Sequence, residues 1–311
     1  YKNETGNFYL PIEKIKEIYC FNELTISTKL LDILSTAGII VHFCNYYENY
    51  IGTFFPKKSL ISGKLTVKQA ITFERNRLII AKAIVRGISK NIRNVVYHYY
   101  RHGIKELKES IDFYNKEVDK LLETAKDIKQ ILSVEGKVWA TFYSTFKYFL
   151  PQDFIINKRV KRPPDNPMNA MISFGNTLLY TKTISQIYNT HLEQSISYLH
   201  EPSEGRFSLS LDLSEVFKPV IVFKTIFDLV NNKKINVEKH FEEKLNYSLL
   251  NENGKKIFIQ AFEDRINQTF EHPKLNRKIT YKQAIKLDGY KLIKYIMESK
   301  DFIPFDLEKK E

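Results

Sequence analysis

Asp212 and Glu215 stand three residues apart in the stretch SYLHEPSEGRFSLSLDLSEVFKP (residues 197–219), and His200 lies twelve residues before the first of them. Positions i and i+3 share a helix face. Leu211, Leu213, Val216, Phe217 and Val220 mark the apolar side of the same segment. Two carboxylates beside an imidazole are a ligand set for Mn²⁺, Zn²⁺ or Fe, and less typically for Mg²⁺. Each residue also has an ordinary structural reading. An acid pair on a helix is commonly a solvated face, and a histidine at a helix end is commonly a hydrogen-bonded structural residue.

A third acid, Glu135, opens the run VEGKVWATFYSTFKYFL, which holds the sole tryptophan, Trp139. Periodicity predicts a helix starting near residue 134, with Glu135 in its first turn. The helix macrodipole favours acids there in any case, so Glu135 gains chemical meaning only if it converges on His200. Residues 151–167 read as a loop carrying Lys158, Arg159, Lys161 and Arg162 ahead of Pro163 and Pro164. A basic, proline-stiffened loop serves as a phosphate clamp or, more simply, as a solvated linker.

The elements that must position these groups can be read in chain order. Ser27 caps a helix over 28–37 that Gly38 closes, and 39–44 (IIVHFC) reads as a buried strand. The aromatic stretch 45–56 suits a strand pair or hairpin; its rings could stack on bases, or serve a small core or a dimer surface. A polar hinge at 57–64 marks the domain boundary. Thr66 caps a long helix towards His102, interrupted by Gly87 and ended by Gly103, and helical periodicity continues over 105–128. Residues 169–199 read as helix, Pro219 kinks or restarts the next one, and further helices are expected at 237–246, 254–268 and 279–299. A second basic patch, KLNRKITYK, lies at 274–282, and the tail from Pro304 reads as extended. The chain thus reads as mixed with strand character up to a boundary near residues 58–65 and as helical beyond it, an α+β fold in two domains, 1–60 and 61–311.

The 311 residues are 43% hydrophobic and 14% aromatic, enough for two real cores, and 48 basic against 36 acidic side chains give +12. A basic, aromatic-rich chain points to a polyanionic partner, most commonly nucleic acid, although lysine also serves solubility. Cys20 and Cys44 have no metal-ligand spacing, which excludes a zinc finger and fits a reducing, cytoplasmic setting. No apolar run reaches the ~18 residues of a membrane span, and no secretory pattern opens the chain.

Four segments together resemble the CRISPR-associated integrase family, the "Cas one" proteins of spacer acquisition. They are LPIEKIKEIYCF with LLDILSTAGIIVHFCNYY and YIGTFFP; VEGKVWATFY; KRPPDNPMNAMISFGNTLLY; and SYLHEP with FSLSLDLSEVFKP. Their wording is most similar to the type I-B branch. The resemblance implies a small β-rich N-terminal dimerisation domain and a larger helical catalytic domain. It implies a metal set of Glu135, His200 and Glu215, with Asp212 as an auxiliary acid and Mg²⁺ or Mn²⁺ as cofactor, and hence side chains that converge. The implied reaction is attack of a spacer 3′-hydroxyl on a target phosphodiester; water in its place gives nuclease activity, and the reverse reaction resolves branched DNA. Arg159, Arg162, Arg206, Lys218 and Tyr180 become the candidate contacts to double-stranded and branched DNA. The implied assembly is a homodimer flanking the small "Cas two" subunit, in a prokaryotic cytoplasm and with no membrane.

Family members begin with a further β-hairpin, so the resemblance implies that this sequence lacks one. Phe223 and Asn166 depart from the acids that many relatives carry at those positions. The competing reading from another class is a non-catalytic DNA-binding scaffold on the same fold; a third is a helical protein whose acidic face is merely solvated.

Overall fold

The N-terminal pattern folds around one short helix and a mixed sheet. The computed structural model describes residues 2–3, 6–7, 9–45, 47, 49–57, 61–156, 158–161, 163–244, 247–272 and 275–307. Strands β1 (Lys2–Asn3) and β2 (Gly6–Asn7) pair antiparallel. Strand β3 (Glu17–Cys20) leads through helix α1 (Thr28–Thr36) to β4 (Ile40–Cys44), which pairs parallel to β3. Strand β5 (Tyr50–Phe54) returns antiparallel to β4, so the aromatic stretch supplies one strand. Ser27 Oγ accepts from Leu30 N at 3.2 Å, and Gly38 takes the left-handed φ of +70° that ends the helix. Cys20, Leu34, Ile39 and Val41 form the core of this unit. It comprises Tyr1–Leu60; the second unit is Ile61–Glu311.

The second unit is built on α2 (Gly63–Arg101), whose Ile80, Ile84, Ile88, Ile92 and Val96 repeat at helical spacing and are buried. Its cap is Ser62, one turn earlier than the expected Thr66. Ser62 Oγ accepts from Leu65 N, and Thr66 Oγ1 donates back to Ser62 O. Gly87 lies inside the helix because a Cβ there would stand 3.0 Å from Pro304 of the tail. The next region is broken: α3 (Lys108–Asp112), a π-turn over Phe113–Glu117 and α4 (Val118–Thr124).

Helix α5 (Ile128–Thr145) starts two turns earlier than its apolar pattern predicts. Asp127 caps it by accepting from Gln130 N at 2.8 Å. Glu135 therefore stands mid-helix, and the macrodipole does not explain it. Helix α6 (Pro167–Tyr188), capped by Asn166, ends eleven residues before the expected Leu199. Residues 189–207 carry no helix or strand. Helix α7 (Ser208–Phe217) follows, Pro219–Phe223 forms a π-turn, and α8 (Lys224–Asn231) resumes the path, so Pro219 restarts the helix.

The helix expected at 237–246 is one turn, α9 (Val237–His240), before the hairpin β6 (Phe241–Lys244) and β7 (Tyr247–Leu250). After α10 (Glu252–Asn267), β8 (Thr269–His272) and β9 (Arg277–Thr280) form another hairpin, which holds part of the second basic patch. Helix α11 (Tyr281–Glu298) opens on a capping box between Thr280 and Gln283. The second unit is thus mostly helical, with two short hairpins set into it. Its tail runs extended, with Phe305 stacked on Phe217 at 4.8 Å and Phe305 N donating to buried Asp288 at 2.8 Å. Among the described residues, no helix is long and apolar enough to cross a membrane.

Candidate active site

Helix α7 is buried nearly all round, and its two acids are buried with it. Asp212 is 0% exposed and Glu215 5%. This removes the reading of a solvated acidic face, since a carboxylate at such depth needs partners. Asp212 finds them in the irregular segment. Its Oδ2 accepts from Tyr198 N at 2.7 Å and Leu199 N at 2.8 Å. Its Oδ1 accepts from His200 N at 3.0 Å and is 2.8 Å from His200 Nδ1. Asp212 thus spends both oxygens on orienting residues 198–200. The ring keeps Nε2 for a ligand, the carboxylate–histidine arrangement that supports metal-bound imidazoles.

His200 therefore sits on a folded loop, not at the helix end that the sequence predicts. Other side chains hold the same loop. Gln69 exchanges two hydrogen bonds with the backbone of Glu193, at 3.0 and 2.9 Å. Ser197 Oγ donates to His200 O at 2.7 Å. Arg77 Nε donates to Tyr198 O at 3.0 Å.

Glu135 projects from the middle of α5, where its Oε1 accepts from Trp139 Nε1 at 3.1 Å. Trp139 stacks on Tyr143 (6.0 Å) and lies 5.6 Å from Phe223 on the π-turn. Phe223, a departure from the family pattern, is thus a buried wall behind the tryptophan.

Several charged groups act on one another here. Burial pushes the Glu135 carboxyl up, and Glu215 pushes it further; His200, Lys218 and the Trp139 hydrogen bond pull it down, and the net shift is upward. Burial opposes a charged His200. The Asp212 hydrogen bond and charge, with Glu215 and Glu135 beyond, outweigh burial and raise its pKa. Tyr143 faces the same field. Burial raises its phenol, Arg159 opposes, and the charges of Glu215 and Glu135 add to the rise. Lys218 Nζ closes on Glu215 Oε1 in an ion pair one turn along α7. Among the described residues, no three His, Cys, Asp or Glu side chains are grouped so that they could hold a metal ion, so the expected convergence of Glu135, His200 and Glu215 is not seen. Glu215 closes on Lys218, Glu135 on Trp139 and His200 on Asp212. The donor types are still those a divalent cation takes: two mutually repelling carboxylates and an imidazole whose Nδ1 is held by Asp212.

The expected DNA contacts divide. Arg159 is turned inward: its guanidinium donates to Val160 O, to Asn169 Oδ1 at 3.0 Å and to Ser173 Oγ at 2.8 Å. It ties the loop to the start of α6, and its fork is occupied by protein. Arg162 lies outside the described residues. Arg206 is exposed and folds along its own loop, donating to Glu201 O at 2.9 Å. Tyr180 Oη accepts from Phe207 N at 3.1 Å, which places the phenol under the loop that precedes α7. Lys218 stands at the acids themselves. Sequence reasoning missed Arg77, Tyr143 and the bond from Trp139 to Glu135. The i, i+4 spacing of Glu135 and Trp139 was the available signal for the last.

A family model described as CRISPR-associated protein Cas1 matches residues 1–264. The chain is 42% identical over 307 residues to "CRISPR-associated protein Cas1 1" of Methanobrevibacter ruminantium, covering 97% of this chain and 91% of that one. It is 41% identical over 300 residues to "CRISPR-associated endonuclease Cas1" of Fusobacterium nucleatum, covering 96% and 88%. Among solved structures, a CAS1 protein from Thermotoga maritima matches with a TM-score of 0.83 and 34% identity, over 100% of this chain and 94% of that one. A casposase bound to integration product shares the fold, with a TM-score of 0.84 and 20% identity over 96% of this chain and 84% of that one.

Proposed function

Since this chain belongs to the CRISPR-associated Cas1 family, we propose that it is a divalent-metal-dependent DNA endonuclease and integrase that inserts spacer DNA into a CRISPR array. The observation that carries this reading is the His200–Asp212 pair, set in one electrostatic field with Glu135 and Glu215. Glu135, His200 Nε2 and Glu215 would hold Mg²⁺ or Mn²⁺. The cation would supply polarisation of a phosphodiester and stabilisation of charge on its oxygens.

The remaining roles fall to the chain itself. Asp212 keeps the imidazole turned with Nδ1 inward. Trp139 holds Glu135 by one oxygen. Lys218 neutralises Glu215 and stands ready for a phosphate oxygen, with Arg206 at the loop edge and Arg162 as a further contact. In the proposed transfer, a spacer 3′-oxygen bonds to a target-strand phosphorus, the target 3′-oxygen leaves, and the hydroxyl proton passes to solvent. Water as nucleophile gives cleavage, and branched DNA is resolved by the reverse transfer. Residues 1–60 would serve dimerisation and 61–311 catalysis, in a type I-B system of the prokaryotic cytoplasm.

A Cas6-RT-Cas1–Cas2 complex shares the fold, with a TM-score of 0.83 and 18% identity over 99% of this chain and 34% of that chain. The proposed partner is accordingly a Cas2 subunit bound by a homodimer of this chain. The decisive experiment is strand transfer of a labelled duplex into supercoiled plasmid with Mn²⁺, Mg²⁺ or EDTA. Metal-dependent products from wild type and none from His200→Ala are expected. Products from His200→Ala at the wild-type rate would overturn the site. No products from wild type with its Cas2 subunit would return the chain to a DNA-binding scaffold.

A further inference from the structure

We propose that Arg77 is a positioning residue for His200, holding by its carbonyls the same turn of chain, residues 198–200, that Asp212 holds by its amides. The inference rests on the metal-site reading above and adds the device that keeps its histidine in place.

Residues 189–207 lack regular structure, so their peptide groups need partners from elsewhere. Asp212 takes the N–H groups of Tyr198, Leu199 and His200. On the carbonyl side, Arg77 Nε donates to Tyr198 O at 3.0 Å and a terminal Arg77 nitrogen to His200 O at 3.3 Å. A carboxylate and a guanidinium thus grip one turn of chain, and they hold the Tyr198–Leu199 peptide by both ends of its dipole, so that each polarises the bond the other uses there. A rigid fork with several N–H groups can reach two carbonyls two residues apart, whereas lysine offers a compact point charge.

Arg77 is itself fixed. Its guanidinium lies 4.7 Å from the centre of the Phe73 ring, one turn earlier on α2. Its side chain is only 17% exposed. Just beyond it Ile80, Ala81 and Ile84 anchor the helix in the core. The same terminal nitrogen reaches Glu201 Oε2 at 2.8 Å, but that carboxylate is 74% exposed and adds little. The Nδ1–Asp212 bond fixes how the imidazole is turned. Where the ring stands is set by the backbone of residues 198–200, and Arg77 connects that backbone to the longest rigid element of the fold.

The test compares wild type, Arg77→Lys, Arg77→Gln and the control Glu201→Gln in three measurements. Mn²⁺ affinity is read from the free-ion signal in electron paramagnetic resonance. DNA affinity is read in EDTA across a salt series. The His200 ring is read from ¹⁵N-histidine NMR spectra, assigned with His200→Gln. Removing a group that orients a metal ligand costs about 10–100-fold in metal affinity, and that loss is expected for both Arg77 variants, without rescue by lysine. Glu201→Gln should bind Mn²⁺ as wild type does, and DNA affinity in EDTA should hold.

The NMR measurement needs no metal. The His200 ring signals should shift or broaden in Arg77→Lys while the other histidines stay in place. Unchanged His200 signals would overturn the inference whether or not the metal reading survives. Wild-type protein that binds no Mn²⁺, with a displaced His200 ring in the variant, would sink the metal reading and leave Arg77 in its role. Intact Mn²⁺ binding with weaker DNA binding and a shallower salt slope would make Arg77 a phosphate contact instead.

Discussion

Glu135 and His200 reach one electrostatic site by opposite structural means. Glu135 rides on α5, an eighteen-residue helix with a side-chain cap and a buried stripe. The helix backbone places it, and one hydrogen bond from Trp139 completes the placement. His200 rides on a segment with no helix or strand, and a buried carboxylate, a guanidinium and a serine hydroxyl are spent to hold that segment. A ligand on a helix inherits its position from many small local terms. A ligand on a loop depends on a few strong long-range ones, so it should fail abruptly when one of them is removed.

The largest expected effect follows directly. In Asp212→Ala, three backbone N–H groups lose their acceptor and the imidazole its tether, at a site with almost no access to water. Leaving such groups unpaired costs about 1–3 kcal/mol each when no water replaces the bond, so a total loss of roughly 3–5 kcal/mol is expected after relaxation. Thermal melts should fall by several degrees, limited proteolysis should cut within 189–207, and strand transfer should vanish. Glu135→Ala should lose strand transfer just as fully while melting close to wild type. Equal melts for the two variants would erase the contrast between the helix-borne and loop-borne residues of the proposed site.

A smaller effect has the opposite sign. The Glu135 pKa is raised in the folded protein by burial and by Glu215. Its contribution to stability is thus present below the unfolded carboxylate pKa and is lost as pH rises through the folded value. His200, also raised, behaves the same way at its higher pKa. A charged Glu135 therefore weakens the fold, and in EDTA at a pH above its raised pKa Glu135→Gln should melt higher than wild type. The difference should shrink as pH falls towards the unfolded carboxylate range. In the proposed metal site both protons must leave before a cation binds, so Mn²⁺ affinity should strengthen as pH rises. A Gln variant that melts below wild type at pH 8 would mean that Glu135 is stabilised by its ion partners more than it is penalised by burial.

The same contrast explains what was legible in the sequence. The cap and stop of α1, the strand at 40–44, the long α2 and the acid pair on α7 follow from local chemistry. Asp212 and Glu215 were readable because helical spacing binds them to one element. The start of α5 was hidden because its first turns, around Lys129, Gln130 and Ser133, interrupt the apolar period. The hairpin at 241–250 was hidden because Phe241, Leu249 and Leu250 supply too few buried residues for a strand pattern. The fold of 189–207 was illegible for a stronger reason. Gln69 and Arg77 hold it from over 120 positions away, and no periodicity records such contacts. The inward bonds of Arg159 were equally hidden. A basic loop looks alike whether its arginine meets phosphate or, as here, the carbonyl and amide oxygens of its own fold.

The mildest test concerns the one side-chain bond on the helix-borne side. Trp139→Phe keeps an aromatic ring against Tyr143 and Phe223, and removes the N–H that reaches Glu135 together with the second ring of the indole. One hydrogen bond to a charged group is worth about 1.5–3 kcal/mol at most, and the helix backbone still aims the carboxylate. Strand transfer should therefore fall about 3–10-fold, short of the 10–100-fold range for an orienting partner lost from a metal ligand. The bond also favours the charged carboxylate, so the pH at which activity appears should move upward in the variant. A loss as complete as that of His200→Ala would show that Glu135 depends on one partner as heavily as the loop does. Wild-type activity with an unmoved pH profile would show that α5 alone fixes its acid.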